Sequence, residues 1–194
     1  MKTIFIDITG VLRDTNAKIA SEYRKYYIES ELEDGEDENF EYDMVLPVTT
    51  NVLMDHFKFQ SEDEMKYFLF VEFAMEIFGH SAPVYSGVFN DLAELMRDGD
   101  YKFTIVSDEK GKGKPASLFF LSKNSCYVDN YRFYKEGEIE EMWDNCDVWI
   151  TSNPTIMESK PENKKVVKVI TEYNKEVTSD FEVEKLIELK DLEI

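Results

Sequence analysis

An α/β fold organised around a parallel sheet is predicted by three features of the chain. A short apolar run, Thr3 to Ile6, ends on an acid, Asp7, and turns at Gly10. From residue 84 onward, β-rich runs alternate with helical periods, the pattern of βα units. Between these two, residues 13–82 break the alternation and read as helical. The expected layout is a core made of 1–12 and 83–194, with a helical cap inserted at 13–82.

Each element rests on its own signal. Residues 16–30 carry an apolar stripe, Ala20, Tyr23, Tyr26 and Tyr27, behind a cap at Thr15 or Asn16. The stretch 29–43 is dominated by acids around Gly35 and reads as a solvated loop, because calcium-loop spacing is not met. Residues 61–78 predict the clearest helix. Ser61 and Glu64 form a capping box, Met65, Phe68, Leu69, Phe73 and Ile77 recur at helical spacing, and Gly79 stops it. Further helices are expected over 87–97, 115–121 and 138–145, and strands over 101–106, 127–134, 147–150 and 164–171. The tail, 181–189, reads as a helix or an edge element.

Composition narrows the function. A net charge of -19 repels nucleic-acid phosphates, so neither DNA nor RNA is an expected partner. A hydrophobic fraction of 43% is enough to bury a core. The opening apolar run is too short for a signal peptide or a membrane span. With 2 Cys, Cys126 and Cys146, and 2 His, His56 and His80, a zinc site is hard to assemble. Reduced thiols and a cytoplasmic location are the expectation. The run Lys110, Lys112, Lys114, interleaved with Gly111 and Gly113, reads as a solvated loop. It lacks the order of a P-loop.

In parallel α/β sheets, ligands sit beyond the carboxyl ends of the strands. The residues predicted there are Asp7, Ser107, Lys135 and the group Thr151, Ser152, Asn153. An acid, a hydroxyl and an amine form a kit for phosphate chemistry. A carboxylate can attack phosphorus, while a hydroxyl and an ammonium hold the phosphoryl oxygens.

These residues carry a resemblance. Phe5-Ile6-Asp7-Ile8-Thr9-Gly10-Val11-Leu12 resembles the first motif of the haloacid-dehalogenase (HAD) superfamily. Thr104-Ile105-Val106-Ser107 is similar to the second motif, and Lys135 to the third-motif lysine. The stretch from Tyr85-Ser86-Gly87 to Ser107 resembles small deoxynucleotidases of that superfamily. The resemblance implies a three-layer Rossmann-like core with a parallel sheet and a helical cap after the first strand. It also implies a Mg²⁺-dependent phosphohydrolase acting on a small phosphorylated metabolite, nucleoside monophosphates favoured. Asp7 would be the nucleophile, and Ser107 and Lys135 would hold the phosphoryl group, with Gly10 and Asp108 beside the substrate. The metal would be held by Asp7, the Thr9 carbonyl, Ser152 and Asn153.

Two departures stand out. Thr9 occupies the place of the usual second aspartate, the general acid and base, which implies slow turnover. The fourth motif has no acid, since Val148-Trp149-Ile150 runs into Thr151-Ser152-Asn153. Asp108 and Glu158 are the acids that could compensate. The rival reading is a catalytically decayed relative, serving as a binding or structural module, as a homodimer or within a larger assembly. A third reading gives the acids of 29–43 a basic partner.

Overall fold

The computed structural model describes residues 1–29, 47–97 and 101–193. The acidic loop expected at 29–43 lies, beyond residue 29, outside the described residues. So does the turn at 98–100.

Six parallel strands form one sheet in the order β3-β2-β1-β4-β5-β6. They are β1 (Lys2–Asp7), β2 (Tyr101–Ser107), β3 (Tyr131–Phe133), β4 (Val148–Thr151), β5 (Lys165–Val169) and β6 (Phe181–Val183). Sequential order reverses at β1, which is flanked by β2 on one side and β4 on the other. That reversal opens a crevice at the carboxyl ends of the strands, where ligands of such sheets bind. Strand β1 is buried from Ile4 to Asp7, as a central strand covered on both faces must be.

The helices of the core are α4 (Val88–Arg97), α5 (Gly113–Lys123), α6 (Ile139–Asp144) and the short α7 (Pro154–Glu158). One face of the sheet packs Ile4, Ile6, Ile105 and Ile150 against Leu92, Phe120 and Leu186. The other packs Phe5, Val106 and Trp149 against Met142, Trp143 and Ile156. Layers above and below the sheet give the three-layer Rossmann-like arrangement. The expected strand at 127–134 shortens to β3, and the tail supplies β6, an edge strand, followed by a 3₁₀ turn at Leu186–Asp191.

The inserted region holds α1 (Thr15–Tyr23), α2 (Leu53–His56) and α3 (Glu62–Tyr67). It has its own aromatic cluster, in which Tyr23, Phe57, Phe59, Phe68 and Phe78 are buried together. The helix expected over 61–78 is not continuous. After α3 the backbone widens to π-helical turns at Phe68–Glu72 and Met75–Gly79, broken at Phe73. Phe68 and Phe73 pack at 4.8 Å, and Phe70 stacks on Phe78 at 5.4 Å. The two chain crossings into the insertion meet at an antiparallel bridge between Arg13 and Pro83. Among the described residues, no helix is long and apolar enough to cross a membrane.

Candidate active site

A cavity of about 190 Å³ lies between the strand ends and the inserted helices. Asp7, Thr9, Ser107, Asp108, Ser152 and Asn153 all line it. The inserted helical region contributes Asn16, Ile19, Asn51, Leu69, Phe70 and Phe78. Among the described residues, none that lines it is Lys, Arg or His.

Asp7 ends β1, is only 6% exposed, and accepts two side-chain hydrogen bonds. Trp149 Nε1 donates to Oδ1 at 3.2 Å, and the Thr151 hydroxyl donates to Oδ2. Trp149 and Thr151 stand two apart on β4 and so project from one face. Burial pushes the Asp7 carboxyl up to about 8. The bonds from Thr151 and Trp149 oppose this, while Asp108 and Glu109 reinforce it.

The loop after β1 makes the rest of the site. Gly10 has φ +71°, a left-handed conformation, and a Cβ there would overlap Ser152 Oγ and the Tyr173 hydroxyl. Gly10 is therefore a backbone requirement of the site. Ser152 Oγ donates to the Thr9 carbonyl at 3.1 Å and lies 2.7 Å from the Tyr173 hydroxyl. The Thr9 hydroxyl is turned the other way, accepting from Arg13 Nη2 at 3.3 Å and from the Thr15 hydroxyl at 3.1 Å.

Arg13 is fully buried, and each of its five N–H donors has a partner. Nε donates to Thr15 Oγ1 at 3.0 Å. Nη1 donates to the Phe78 carbonyl at 2.9 Å and to Ser117 Oγ at 2.7 Å. Nη2 donates to Thr9 Oγ1 and to the Glu109 carboxylate. Burial pulls the guanidinium below the usual arginine range, and Glu109 holds it up. The other oxygen of Glu109 accepts from the Ser107 hydroxyl. Ser107 thus already donates its proton to a neighbour, and Arg13 has no donor left for a ligand.

Of the expected residues, Gly10 lines a separate hollow with Tyr173, and Lys135 likewise lies outside the Asp7 cavity. It is exposed and lines an adjoining depression with Lys110, Lys114 and Gly137, not the Asp7 cavity. Tyr134 faces the cavity, and in extended backbone the next side chain turns to the other side. Arg13, Glu109, Trp149 and Tyr173 are the site residues that the sequence reading missed. Thr151 was named with Ser152 and Asn153 among the strand-end candidates, and its bond to Asp7 is what the structure adds.

The oxygens nominated for magnesium do not assemble a site for it. Magnesium takes hard oxygen ligands in near-octahedral geometry, carboxylates foremost. Of the four nominated residues only Asp7 is an acid, and both its oxygens accept hydrogen bonds. The Thr9 carbonyl accepts from Ser152, and Asn153 Oδ1 caps α7 by accepting from the Thr155 amide at 3.0 Å. Among the described residues, no three His, Cys, Asp or Glu side chains converge as metal ligands. Neither Asp108 nor Glu158 completes a metal set with Asp7. A titration with Mg²⁺ to 10 mM, on the order of free cellular levels or above, is expected to leave the melting temperature unchanged. A saturable rise in melting temperature that Asp7→Asn abolishes would establish a metal site there.

No family model matches the sequence, and no curated protein matches it. Solved structures do. A predicted phosphatase from Clostridium acetobutylicum is 16% identical with a TM-score of 0.63, and the match covers 100% of this chain and 99% of that one. A haloacid dehalogenase-like hydrolase from Streptococcus pneumoniae is 12% identical with a TM-score of 0.64, covering 98% and 97%. A HAD-superfamily hydrolase of subfamily IA from Geobacter sulfurreducens is 13% identical with a TM-score of 0.59, covering 98% and 95%. The chain has the haloacid-dehalogenase-like fold over its length.

Proposed function

We propose that the protein is a slow hydrolase of phosphoric monoesters with Asp7 as its nucleophile. The observation that carries this reading is the convergence of Asp7, Thr9, Ser107, Asp108, Ser152 and Asn153 on one cavity at the sheet's switch point. The likeness in fold to hydrolases supports it. An Asp7 oxygen attacks phosphorus, the ester oxygen leaves with a proton from solvent, and an aspartyl phosphate forms. Water then attacks this phosphorus, returning the carboxylate and releasing phosphate. Trp149 and Thr151 aim the carboxylate.

Slowness has two physical sources. Among the described residues, the cavity lining carries no cation to offset charge in the transition state. Thr9 cannot serve as the general acid, and its hydroxyl is engaged by Arg13 and Thr15. The size of the cavity, about 190 Å³, lies below the roughly 300 Å³ at which pockets for drug-sized ligands begin. Short phosphorylated metabolites therefore fit it better than nucleoside monophosphates.

The test is hydrolysis of an aryl phosphate from pH 5 to 9, with and without Mg²⁺, beside Asp7→Asn. Attack needs the ionised carboxylate, and burial holds that group near 8. The expected rate rises about tenfold per pH unit up to that point and then levels. Activity that is absent, or equal in the variant, removes the proposal.

One observation favours a second reading, a binding module without turnover. Burial raises the Asp7 carboxyl to about 8, which disfavours the ionised nucleophile at neutral pH, and the Arg13 cation is paired with Glu109. In that reading the fold serves a homodimer or a larger assembly. A small phosphorylated molecule that binds without being consumed would support it.

A further inference from the structure

Tyr134 lines the Asp7 cavity and is only 4% exposed, yet among the described residues its hydroxyl has no hydrogen-bond partner. The other hydroxyls of the described lining are engaged within the protein. Ser107 donates to Glu109, Thr15 to Thr9, and Ser152 to the Thr9 carbonyl, while Tyr173 is bonded to Ser152. A buried phenol without a protein partner is satisfied by whatever enters the space it faces, water or ligand.

The backbone fixes where that hydroxyl stands. Tyr134 directly follows β3, and its amide donates to the Ser107 carbonyl at 2.9 Å, which carries the β2–β3 ladder to the mouth of the cavity. Its ring stands edge-on to Trp149 at 5.6 Å, and the indole of Trp149 in turn holds Asp7. A ring packed in this way has little freedom, so its donor is preorganised. Burial, reinforced by the nearby carboxyls of Asp7, Asp108 and Glu109, holds the phenol well above its ordinary range. It keeps its proton across the neutral range and stays a donor.

We propose that the Tyr134 hydroxyl holds the ligand of this cavity by donating a hydrogen bond to one of its phosphoryl oxygens. The inference rests on the phosphoryl reading above and adds to it a neutral donor in a described lining that carries no cation. No proton is transferred, because Tyr134 keeps its own throughout. As Asp7 attacks, negative charge gathers on the phosphoryl oxygens, and a donor already in place stabilises it without reorganising.

Tyr134→Phe removes the hydroxyl and keeps the ring against Trp149. Since the hydroxyl has no partner among the described residues, the variant's melting temperature should match or exceed that of wild type. Its kcat on an aryl phosphate should nonetheless fall about a hundredfold, with KM changed far less, as expected for a donor aimed at the transition state. Binding of inorganic phosphate, followed by calorimetry, needs no turnover and should weaken about tenfold or more. A Tyr134→Phe protein that hydrolyses the ester as fast as wild type overturns the inference and leaves the Asp7 reading standing. If Asp7→Asn is as active as wild type, or wild type is inactive, the Asp7 reading falls and phosphate binding alone decides on Tyr134. A loss of about tenfold in Tyr134→Phe then upholds the contact. Equal binding by the two proteins, or none by wild type, overturns it. A melting temperature well below wild type also overturns it, because the hydroxyl would then serve the fold.

Discussion

Asp7→Asn is expected to stabilise the protein, and increasingly so as the pH rises from 5 to 9. Burial raises this carboxyl from 3.8 to about 8 in the folded chain. Between those two values the folded state keeps a proton that the unfolded state has released. The folded state then binds more protons than the unfolded one, so stability falls as pH rises through this window. The slope is about 1.4 kcal/mol per pH unit, and it ends above pH 8. Asparagine removes the titration. Its carbonyl can accept from Trp149, and the Thr151 hydroxyl can turn to accept from its amide. From pH 5 to pH 9 the variant's advantage over wild type should therefore grow by roughly 2–4 kcal/mol, allowing for relaxation around a buried charge. Urea denaturation at pH 5, 7 and 9 reads this directly. Parallel pH dependences for the two proteins would mean that Asp7 is ionised throughout. If Asp7 is the nucleophile, the same variant loses activity where it gains stability, because the ionised carboxylate that destabilises the fold is the reacting species.

Arg13→Met should be the most damaging single change in the site. The substitution leaves Glu109 buried, 2% exposed, with no counter-charge. It also strands acceptors on Thr15, Ser117 and the Phe78 carbonyl. Breaking a buried pair from one side costs about 3–5 kcal/mol. Adding Glu109→Gln should restore part of that loss, since a neutral amide tolerates burial better than an unpaired carboxylate. Equal stability of Arg13→Met and wild type in urea would show that the guanidinium contributes nothing net. A double variant no better than Arg13→Met would place the loss in packing against Phe78 and Phe120, whose rings lie 5.0 and 5.4 Å from the guanidinium carbon.

The sheet was readable from local pattern because its signals lie within single elements. β1 is one apolar run ending on Asp7, β2 another ending on Ser107, and the helices between them carry their own periodicity. The partners of the site were not readable, because they come from remote parts of the chain. Arg13 meets Phe78, Glu109 and Ser117 from 65 to 104 residues away, and Asp7 meets Trp149 and Thr151 across 142 and 144. Nothing in the sequence near residue 13 says that its arginine is buried. Lys135 lies outside the Asp7 cavity for a smaller reason. A motif fixes a position along the chain, but the side on which an extended residue projects follows from neighbours such as Tyr134. The continuous helix expected over 61–78 failed at Phe73 because helical periodicity cannot foresee where crowded rings widen the backbone.

A buried cross-brace ties the inserted helices to the sheet. One guanidinium simultaneously grips the β1 loop through Thr9, the strand β2 end through Glu109, α5 through Ser117 and the inserted helices through the Phe78 carbonyl. A hinge that lifted the insertion away would sever the Phe78 bond and expose the charge in one stroke. The insertion and the sheet should therefore melt together: hydrogen exchange at Ile19 and Ala20 in the insertion and at Trp149 in the sheet should be released in the same transition.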